Sequence, residues 1–297
     1  MTPLVHKPSD LMDLHTHTTF SDGSETPETL VDMAFEFGLT LVAITDHDSI
    51  AGLEFAEEQA AKRGIRLVRG IEFSADYDEI SVHIVGLGIK KPDEFFIEML
   101  RKIGEGRASR NPKIVQKLNE LGFEITFEEV RNIAAGDIIS RPHIAEALVR
   151  NGYVENTNEA FKRYLNRGRP AYQERYRPTV SEAATMIKHM GGIPILAHPG
   201  LIRFPFDTME SHISRLKSMG IEGIETHYPV HTQEMRREFS RIAQKLSLLE
   251  SGGSDFHGVF KPNPIGLGTD REPITGSFLR PLLERLNIPI SASMTSV

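Results

Sequence analysis

Short apolar runs alternate, over most of the chain, with stretches in which apolar residues recur every three to four positions. This alternation is typical of β-strands joined by α-helices in an α/β fold. We expect six or seven strands, which is close to an eight-stranded barrel but too few for a complete one. The predicted strands cover about 11–15, 41–45, 65–73, 81–88, 193–199, 221–225 and 247–255, and the predicted helices about 27–37, 50–62, 180–190, 209–218, 232–245 and 278–286.

The βα rhythm is interrupted between residues 89 and 179, where the pattern is mostly helical and contains no convincing strand. We therefore predict a barrel built from residues 1–88 and 180–297, with residues 89–179 as a helical insertion. We call this insertion the lid, because we expect it to cover the C-terminal mouth of the barrel. A Lys/Arg-rich stretch at 101–117 is interpreted as the solvated face of a helix, or alternatively as a guide for a polyanion.

Composition and charge narrow the class of protein. Of the 297 residues, 25% are charged and 39% are apolar, as in an ordinary globular protein. The absence of cysteine excludes disulfides, thiolate metal sites and cysteine nucleophiles, and it suits a reducing cytoplasm. A formal net charge of −7 argues against stable binding of duplex nucleic acid, and no apolar run indicates a signal peptide or a membrane helix. We expect a cytoplasmic protein that does not associate with membranes.

Histidine and acidic residues cluster at the ends of the predicted strands. His15 and His17 lie two positions apart on the first strand and therefore project to the same side. With 12 histidines in the chain, chance alone gives about 0.5 such pairs, so this motif is weak by itself. Five further strands carry polar groups at or near their C-terminal ends, where α/β barrels hold their catalytic residues. These groups are Asp46, His47 and Asp48 on one strand, Glu72, His83 and His198 on three others, and Asp255 with His257 on the last.

Imidazole and carboxylate ligands without thiolates suit manganese, zinc or iron. A carboxylate such as Glu72 can bridge two ions, and two ions roughly 3.5–4 Å apart can share a hydroxide nucleophile and stabilise the attacking and leaving oxygens of a displacement. Together, Asp22, Glu72 and Asp255 would not neutralise two or three divalent ions, so the pocket would be cationic. The chemistry that fits such a pocket is hydrolysis of a phosphate ester.

Six sequence blocks strengthen this interpretation. They are D-L-H-T-H-T-x-x-S-D-G at 13–23, I-T-D-H-D at 44–48, G-I-E-F-S at 70–74, H-I-V-G at 83–86, A-H-P-G at 197–200 and G-S-D-F-H at 253–257. In content and order they resemble the PHP (polymerase and histidinol phosphatase) family, which implies a distorted (β/α)7 barrel. The resemblance is greatest to bacterial 3′,5′-nucleotide bisphosphate phosphatases and 5′-3′ exoribonucleases, whose pattern also includes the R-P-H-I-A block at 141–145.

The resemblance also implies a centre of two to three divalent ions, for which we expect manganese first, with zinc or iron as alternatives. Histidinol phosphatases of the family tend to have a histidine where this chain has Asp22, so the third ion site departs from theirs. By the implied ligand set, the first ion is held by His15, His17, Glu72 and Asp255, the second by Glu72, His83 and His198, and the third by Asp22, His47 and His257.

Several other polar residues have candidate roles. Arg141 and His143 lie at a predicted helix start, where a guanidinium and exposed backbone N–H groups can bind an anion. These residues alone fit a capped helix with a surface arginine equally well, and it is the family resemblance that favours binding of a substrate phosphate. His231 is a candidate proton donor or substrate contact, and His227 is a weaker one. The residues that we expect to act in catalysis itself are Glu72, His198, Asp255 and His257.

The aspartates that flank His47 have alternative roles. One of them could orient a neighbouring imidazole, or Asp48 could cap the helix predicted to start at about residue 50. The remaining histidines, His6, His189 and His212, have no strand-end context and are interpreted as surface or helix residues.

Three functions compete. The leading one is hydrolysis of a nucleotide phosphate, either the 3′-phosphate of adenosine 3′,5′-bisphosphate or short 5′-phosphorylated RNA. Histidinol-phosphate phosphatase activity is the second, and it is disfavoured because position 22 is Asp22 rather than a histidine. The third is a non-catalytic PHP module that binds partners, which is disfavoured because such modules often lose ligands whereas every matched ligand position here is filled.

Overall fold

The computed structural model describes residues 10–134, 138–202 and 204–289. Within these residues, seven strands form one sheet whose spatial order follows the sequence, in agreement with the predicted six or seven. His6 lies outside the described residues. The strands are β1 (Met12–Asp13), β2 (Leu41–Ile44), β3 (Arg66–Tyr77), β4 (Ile80–Leu87), β5 (Ile193–Leu196), β6 (Gly223–His227) and β7 (Leu249–Gly252).

Backbone hydrogen bonds close the sheet between its first and last strands. The Leu14 amide donates to the Gly252 carbonyl at 3.3 Å, just where β1 and β7 end. Beyond the strands, the Asp255 amide donates to the His15 carbonyl at 2.8 Å and the His17 amide donates to Phe256 at 2.9 Å. The result is a seven-stranded α/β barrel in which the segments after β1 and β7 lie side by side.

The fourth strand runs against the others. β4 pairs antiparallel with β3 and β5, whereas the remaining neighbours pair in parallel. His83 pairs with Ser74 in the first half of β4, so the prediction that it lies near the C-terminal end of its strand is wrong. The apolar pattern carries no information on strand direction. Because β4 is reversed, its beginning lies at the same edge as the C-terminal ends of its neighbours, and His83 still reaches the other ligands.

Alternate strand positions pack on opposite sides of the sheet. Val42 and Ile44 belong to the large apolar cluster formed with the outer helices. Leu41 and Ala43 belong to a second cluster, which includes Leu283 of the C-terminal helix. This alternation follows from the two-residue period of a strand. Both clusters are fully buried, so they fix the strand ends that carry the polar residues.

Capping residues set several helix boundaries. Thr26 accepts the Thr29 amide before the first helix, and Gly38 ends that helix at φ 94°, a left-handed conformation that glycine adopts without strain. Thr179 and Glu182 form a reciprocal capping box where the βα rhythm returns. The helices are α1 (Pro27–Phe37), α2 (Leu53–Arg63), α3 (Glu94–Glu120), α4 (Phe127–Ala134), α5 (Arg141–Arg150), α6 (Thr157–Ala160), α7 (Val180–His189), α8 (Met209–Ser218), α9 (Gln233–Leu246) and α10 (Gly276–Arg285).

The lid has an apolar cluster of its own. Its described residues between Gly88 and Thr179 form helices and turns but no strand. Ile114 and Leu118 of α3 pack with Leu148 of α5 in a buried cluster that is separate from the two clusters of the barrel. Over the described part of the chain, none of the helices has the length and apolar character needed to cross a membrane.

Candidate metal centre

The polar residues predicted from the strand ends converge at one edge of the barrel. The segments after β1 and β7 pack closely, because Gly253 has no side chain to collide with His15. Each of the nine predicted ligands belongs to a group whose ligand atoms lie within 4.8 Å of one another. These groups are His17, Asp22, His47 and His257; His15, Glu72 and His198; His15, His17 and Asp255; and His47, Glu72 and His83.

Glu72 lies at the centre of the cluster and is completely buried. Both carboxylate oxygens face imidazole nitrogens, so this side chain has the geometry of a bridging ligand. Oε1 lies 3.3 Å from His15 Nε2, 3.2 Å from His83 Nδ1 and 3.1 Å from His198 Nε2, and Oε2 lies 3.3 Å from His17 Nε2 and 2.9 Å from His47 Nδ1.

Two further carboxylates complete the cluster. Asp22 Oδ1 lies 3.2 Å from His257 Nε2 and 3.7 Å from His47 Nε2. Asp255 Oδ1 lies 3.3 Å from both His17 Nε2 and His257 Nδ1. The three acids are therefore distributed among the imidazoles, which is the arrangement that several cations close together require.

Several of these buried atoms have no hydrogen-bond partner among the residues that the structure describes. They include the Nε2 atoms of His15 and His17, Asp22 Oδ1, Glu72 Oε2 and His83 Nδ1. A buried polar atom without a partner costs about 1–3 kcal/mol, so a cluster of them indicates ligands for something else. Nitrogen and oxygen donors in this density fit divalent metal ions.

Protonation states support the same assignment. Burial alone would raise the pKa of Glu72, but the charges of His47 and His15 hold it well below its usual range. The pKa values of Asp22 and Asp255 are likewise lowered, against the effect of burial, by neighbouring cationic groups. Burial lowers the pKa of His17 and His83 to about 4, which keeps their rings neutral. Against the effect of burial, neighbouring carboxylates raise the pKa of His15 and bring that of His47 to about 9, so these two rings must each lose a proton when a metal binds. The other groups are already the anionic carboxylates and neutral imidazoles that bind metals.

Residues behind the ligands fix their orientation. His15 donates from Nδ1 to Glu225 Oε1 at 3.1 Å, which directs its Nε2 at the cluster. Glu225 also accepts the His198 amide through Oε2 at 2.7 Å. Tyr228 and Lys261 both bind Asp255 Oδ2, at 3.0 and 2.7 Å, which leaves Oδ1 for the centre.

The sequence prediction missed these supporting residues. Glu225 carried a usable signal, because it is an acid near the end of a strand, whereas Tyr228 and Lys261 are placed by tertiary contacts alone.

Three residues at the same edge have a strained backbone. Asp48, His198 and Asp255 have φ angles of 54°, 29° and 52°, which residues with a Cβ rarely adopt. Each such conformation costs of order 1–3 kcal/mol and persists only where the surrounding structure enforces it. Strain of this kind is characteristic of functional sites.

The two aspartates beside His47 have different roles. Asp46 accepts the Thr18 amide and hydroxyl at 2.7 and 2.6 Å and the Ser21 hydroxyl at 2.5 Å. It therefore holds the loop that carries His17 and Asp22, and Ser21 Oγ lies 3.4 Å from His17 Nδ1. Asp46 thus acts on an imidazole through an intermediate hydroxyl.

Asp48 does not cap a helix. The helix starts later than predicted, with Gly52 as its N-cap, so that alternative is wrong. Asp48 instead forms ion pairs with Arg107 and with Arg175 of the lid, the latter at 3.0 Å. The lid is thereby joined to the strand end that carries His47.

Arginines of the lid form a buried cationic group. Arg107 and Arg110 are only 7% and 5% exposed, so the interpretation of 101–117 as a wholly solvated face is wrong. Burial and the neighbouring arginines lower the pKa of Arg110 to about 8 and that of Arg141 to about 10. We call Arg107, Arg110, Arg141, Arg175 and Arg177 the arginine cluster.

Arg141 and His143 lie at the start of α5, as predicted. Arg141 Nη1 donates to the Leu165 carbonyl at 3.2 Å, and the side chain lines a cavity of about 450 Å³ together with Arg177. His143 accepts the Ser140 amide at Nδ1, and burial lowers its pKa. A neutral ring with an accepting Nδ1 must carry its proton on Nε2, and this buried nitrogen has no partner in the described part of the chain.

Other candidate histidines have structural roles. His231 donates from Nδ1 to the Thr226 carbonyl at 3.0 Å and accepts the Gly200 amide at Nε2 at 3.1 Å. Both nitrogens of this buried ring have backbone partners, which argues against the predicted substrate contact or proton donation. His227 accepts the Thr269 amide at 3.1 Å. His189 is exposed and pairs with an aspartate, and His212 is a helix residue bonded to a tyrosine hydroxyl.

Comparison with known proteins agrees with this geometry. Residues 13–188 match the PHP domain. The chain is 33% identical over 280 residues to a 3′,5′-nucleoside bisphosphate phosphatase of Chromobacterium violaceum, covering 94% of this chain and 98% of the relative. It is 35% identical over 245 residues to a 5′-3′ exoribonuclease of Haemophilus influenzae, covering 82% and 89%.

A solved structure from Bifidobacterium adolescentis, described as a metal-dependent phosphoesterase, is 32% identical and superposes with a TM-score of 0.81. That similarity covers 96% of this chain and 98% of the other. The chain belongs to the PHP domain family and is a metal-dependent phosphoesterase.

Proposed function

We propose that the protein hydrolyses phosphate esters of nucleotides, with the 3′-phosphate of adenosine 3′,5′-bisphosphate and short 5′-phosphorylated RNA as substrates. The observation that carries this proposal is the arginine cluster of the lid, which is joined through Asp48 to the strand end of His47. The names of the Chromobacterium and Haemophilus relatives support the two substrate classes. A cytoplasmic location is part of the proposal.

The nine clustered residues are the proposed ligands of two to three divalent ions, with manganese the expected metal and zinc or iron the alternatives. We assign Glu72 as the bridging ligand between an ion that His15, His17 and Asp255 would hold and a second ion that His83 and His198 would hold, since its Oε1 lies 3.3 Å from His15 Nε2 and 3.1 Å from His198 Nε2. Asp22, His47 and His257 are the proposed third group. Bound ions would supply Lewis-acid stabilisation of phosphoryl oxygens and activation of water.

Residues of the lid would bind and orient the substrate. The arginine cluster has Asp48 and Glu174 as its paired carboxylates among the described contacts, so it carries excess positive charge. Arg141 would bind the phosphate that is not cleaved, since a guanidinium offers two parallel donors to a phosphate. His143 would donate its Nε2 proton in a hydrogen bond to a phosphoryl oxygen. The lid would also exclude bulk water from the reacting phosphate.

Phosphate release tests the proposal. Protein supplied with manganese should hydrolyse adenosine 3′,5′-bisphosphate and short 5′-phosphorylated RNA, and a chelator should stop both reactions. The Glu72→Ala variant, purified in the same way, controls for contaminating phosphatases. Preferred hydrolysis of histidinol phosphate would favour the alternative phosphatase function, and metal binding without turnover of any ester would favour a binding module.

A further inference from the structure

A lysine reaches the metal centre from its solvent side. Lys261 follows the segment that carries Asp255 and His257, and its ammonium nitrogen Nζ lies 2.7 Å from Asp255 Oδ2. The Lys261 side chain is 37% exposed, whereas Asp255 is 1% exposed. The side chain therefore extends between solvent and a buried carboxylate of the proposed metal centre.

The charge of this lysine is matched to the carboxylates around it. Partial burial lowers the pKa of Lys261, but Asp255 raises it above its usual range, with smaller contributions from Asp22 and Glu72. These are the three acids of the proposed metal centre. Lys261 is therefore a constant positive charge close to all of them.

Orientation of Asp255 does not by itself account for this lysine. The Tyr228 hydroxyl donates to the same Oδ2 atom at 3.0 Å, so this oxygen keeps a partner without Lys261. An ammonium has three N–H donors. One of them is directed at Asp255, and the described residues offer Lys261 no second acceptor. Two donors are left for solvent or for a ligand.

The segment before Lys261 lies where the barrel meets the lid. The Val259 amide donates to Ser24 Oγ at 3.0 Å, which fixes this segment to the loop after β1. Phe260 meets the His143 ring of the lid edge-on, with the ring centres 5.9 Å apart. His143 is the lid residue proposed to bind a phosphoryl oxygen. The residue next to Lys261 thus contacts the proposed phosphate-binding part of the lid.

We infer that Lys261 binds the phosphate that is cleaved, and that Asp255 Oδ2 holds the ammonium in position for this contact. The inference rests on the proposed function of the metal centre. An ammonium is a compact charge that pairs well with phosphate oxygens. The role differs from that of Arg141, which is proposed for the phosphate that is not cleaved. Since every substrate has a reacting phosphate, Lys261 should matter for all phosphate esters and for inorganic phosphate, the product.

Lys261→Met tests the contact, because it keeps an unbranched side chain and removes the charge. At saturating manganese, the inhibition constant for inorganic phosphate should rise by about 10–100-fold. The kcat/KM values for adenosine 3′,5′-bisphosphate and for a small aryl phosphate should fall by the same factor. Tyr228→Phe is the matched control, since it removes the other hydrogen bond to Asp255 Oδ2 from a side chain that is 2% exposed. Whatever its turnover, its inhibition constant for phosphate should stay within about twofold of the wild type.

A second variant separates loss of the charge from damage to the fold. Because the chain has no cysteine, the thiol of Lys261→Cys can be modified selectively. Alkylation with 2-bromoethylamine restores an ammonium at nearly the length of lysine, whereas iodoacetamide adds an uncharged group. Aminoethylation should bring the inhibition constant for phosphate back toward the wild-type value, and iodoacetamide should leave it raised.

Three results would overturn the inference. They are equal changes of the phosphate inhibition constant in Lys261→Met and Tyr228→Phe, no change in Lys261→Met, and no recovery after aminoethylation of Lys261→Cys. The first would mean that Lys261 acts through Asp255 alone. A wild-type protein that hydrolyses the aryl phosphate but no nucleotide ester would instead refute the proposed function, and the measurements with inorganic phosphate would still decide the role of Lys261.

Discussion

Glu225 should control metal affinity without being a ligand. It is 2% exposed and uses both carboxylate oxygens, accepting His15 Nδ1–H at 3.1 Å and the His198 amide at 2.7 Å. In Glu225→Gln, the amide NH₂ replaces one acceptor and must face one of these two donors. Either His15 loses the partner that fixes its tautomer, or the backbone at His198 shifts.

The magnitude follows from these contacts. Loss of a hydrogen bond to a charged group costs about 1.5–3 kcal/mol. At about 1.4 kcal/mol for each factor of ten, the affinity for manganese should fall by about 10–100-fold, a range also found for residues that support metal-ligating histidines. Because the ligands remain in place, kcat at saturating manganese should largely recover.

Calorimetric titration of manganese into chelator-stripped protein measures this effect directly. Glu250→Gln is the matched control, since Glu250 lies on the adjacent strand and accepts hydrogen bonds from Thr226 and Ser240. Its manganese affinity should equal that of the wild type. If Glu225→Gln also bound manganese with wild-type affinity, the role assigned to Glu225 would be refuted.

Three other variants test separate parts of the structure. Arg141→Ala should lower kcat/KM for adenosine 3′,5′-bisphosphate by an amount equivalent to about 2–4 kcal/mol of activation free energy, whereas kcat/KM for a small aryl phosphate should be nearly unchanged. Equal effects on the two substrates would contradict a contact with the second phosphate. Asp48→Asn leaves the buried Arg107 and Arg175 without their carboxylate, so the free energy of unfolding in urea should fall by about 3–5 kcal/mol, and an unchanged value would show that the ion pairs contribute nothing. Burial lowers the pKa of His227 to about 4, whereas the same side chain in the unfolded chain has a pKa of about 6.5. The neutral ring therefore contributes about 3 kcal/mol to the free energy of unfolding. This contribution is complete above a pH of about 6.5 and is lost as pH falls toward 4. His227→Asn keeps an acceptor for the Thr269 amide and should reduce this pH dependence, measured by urea unfolding of the metal-free protein. If the free energy of unfolding changed equally with pH in the variant and the wild type, the role assigned to His227 would be refuted.

The sequence located the site because most of the ligands lie at or just after the end of a short apolar run. Strand ends of an α/β barrel meet at one edge whatever lies between them, so positions as distant as His15 and His257 could be placed together. The same pattern could not predict the direction of a strand, as His83 on the reversed strand β4 shows. Its side chain still reached the site because the beginning of a reversed strand lies at that same edge.

Residues whose roles depend on tertiary contacts were harder to predict. Arg107 and Arg110 lie in a charged stretch that looks solvated, but both are buried in the folded lid, and Arg107 forms an ion pair with Asp48. His231 illustrates the opposite difficulty. Its position before a helix resembles a functional histidine, but backbone groups of Thr226 and Gly200 occupy both ring nitrogens.

The central claim is that Glu72 joins divalent ions into one hydrolytic centre. Elemental analysis of purified wild-type protein and Glu72→Ala, combined with phosphate release before and after chelation, tests it most directly. We predict two to three divalent ions per wild-type chain, turnover that a chelator abolishes and manganese restores, and fewer ions with the largest loss of turnover in Glu72→Ala. Only trace metal in an active wild type with chelator-insensitive turnover, or wild-type turnover in Glu72→Ala, would contradict the account.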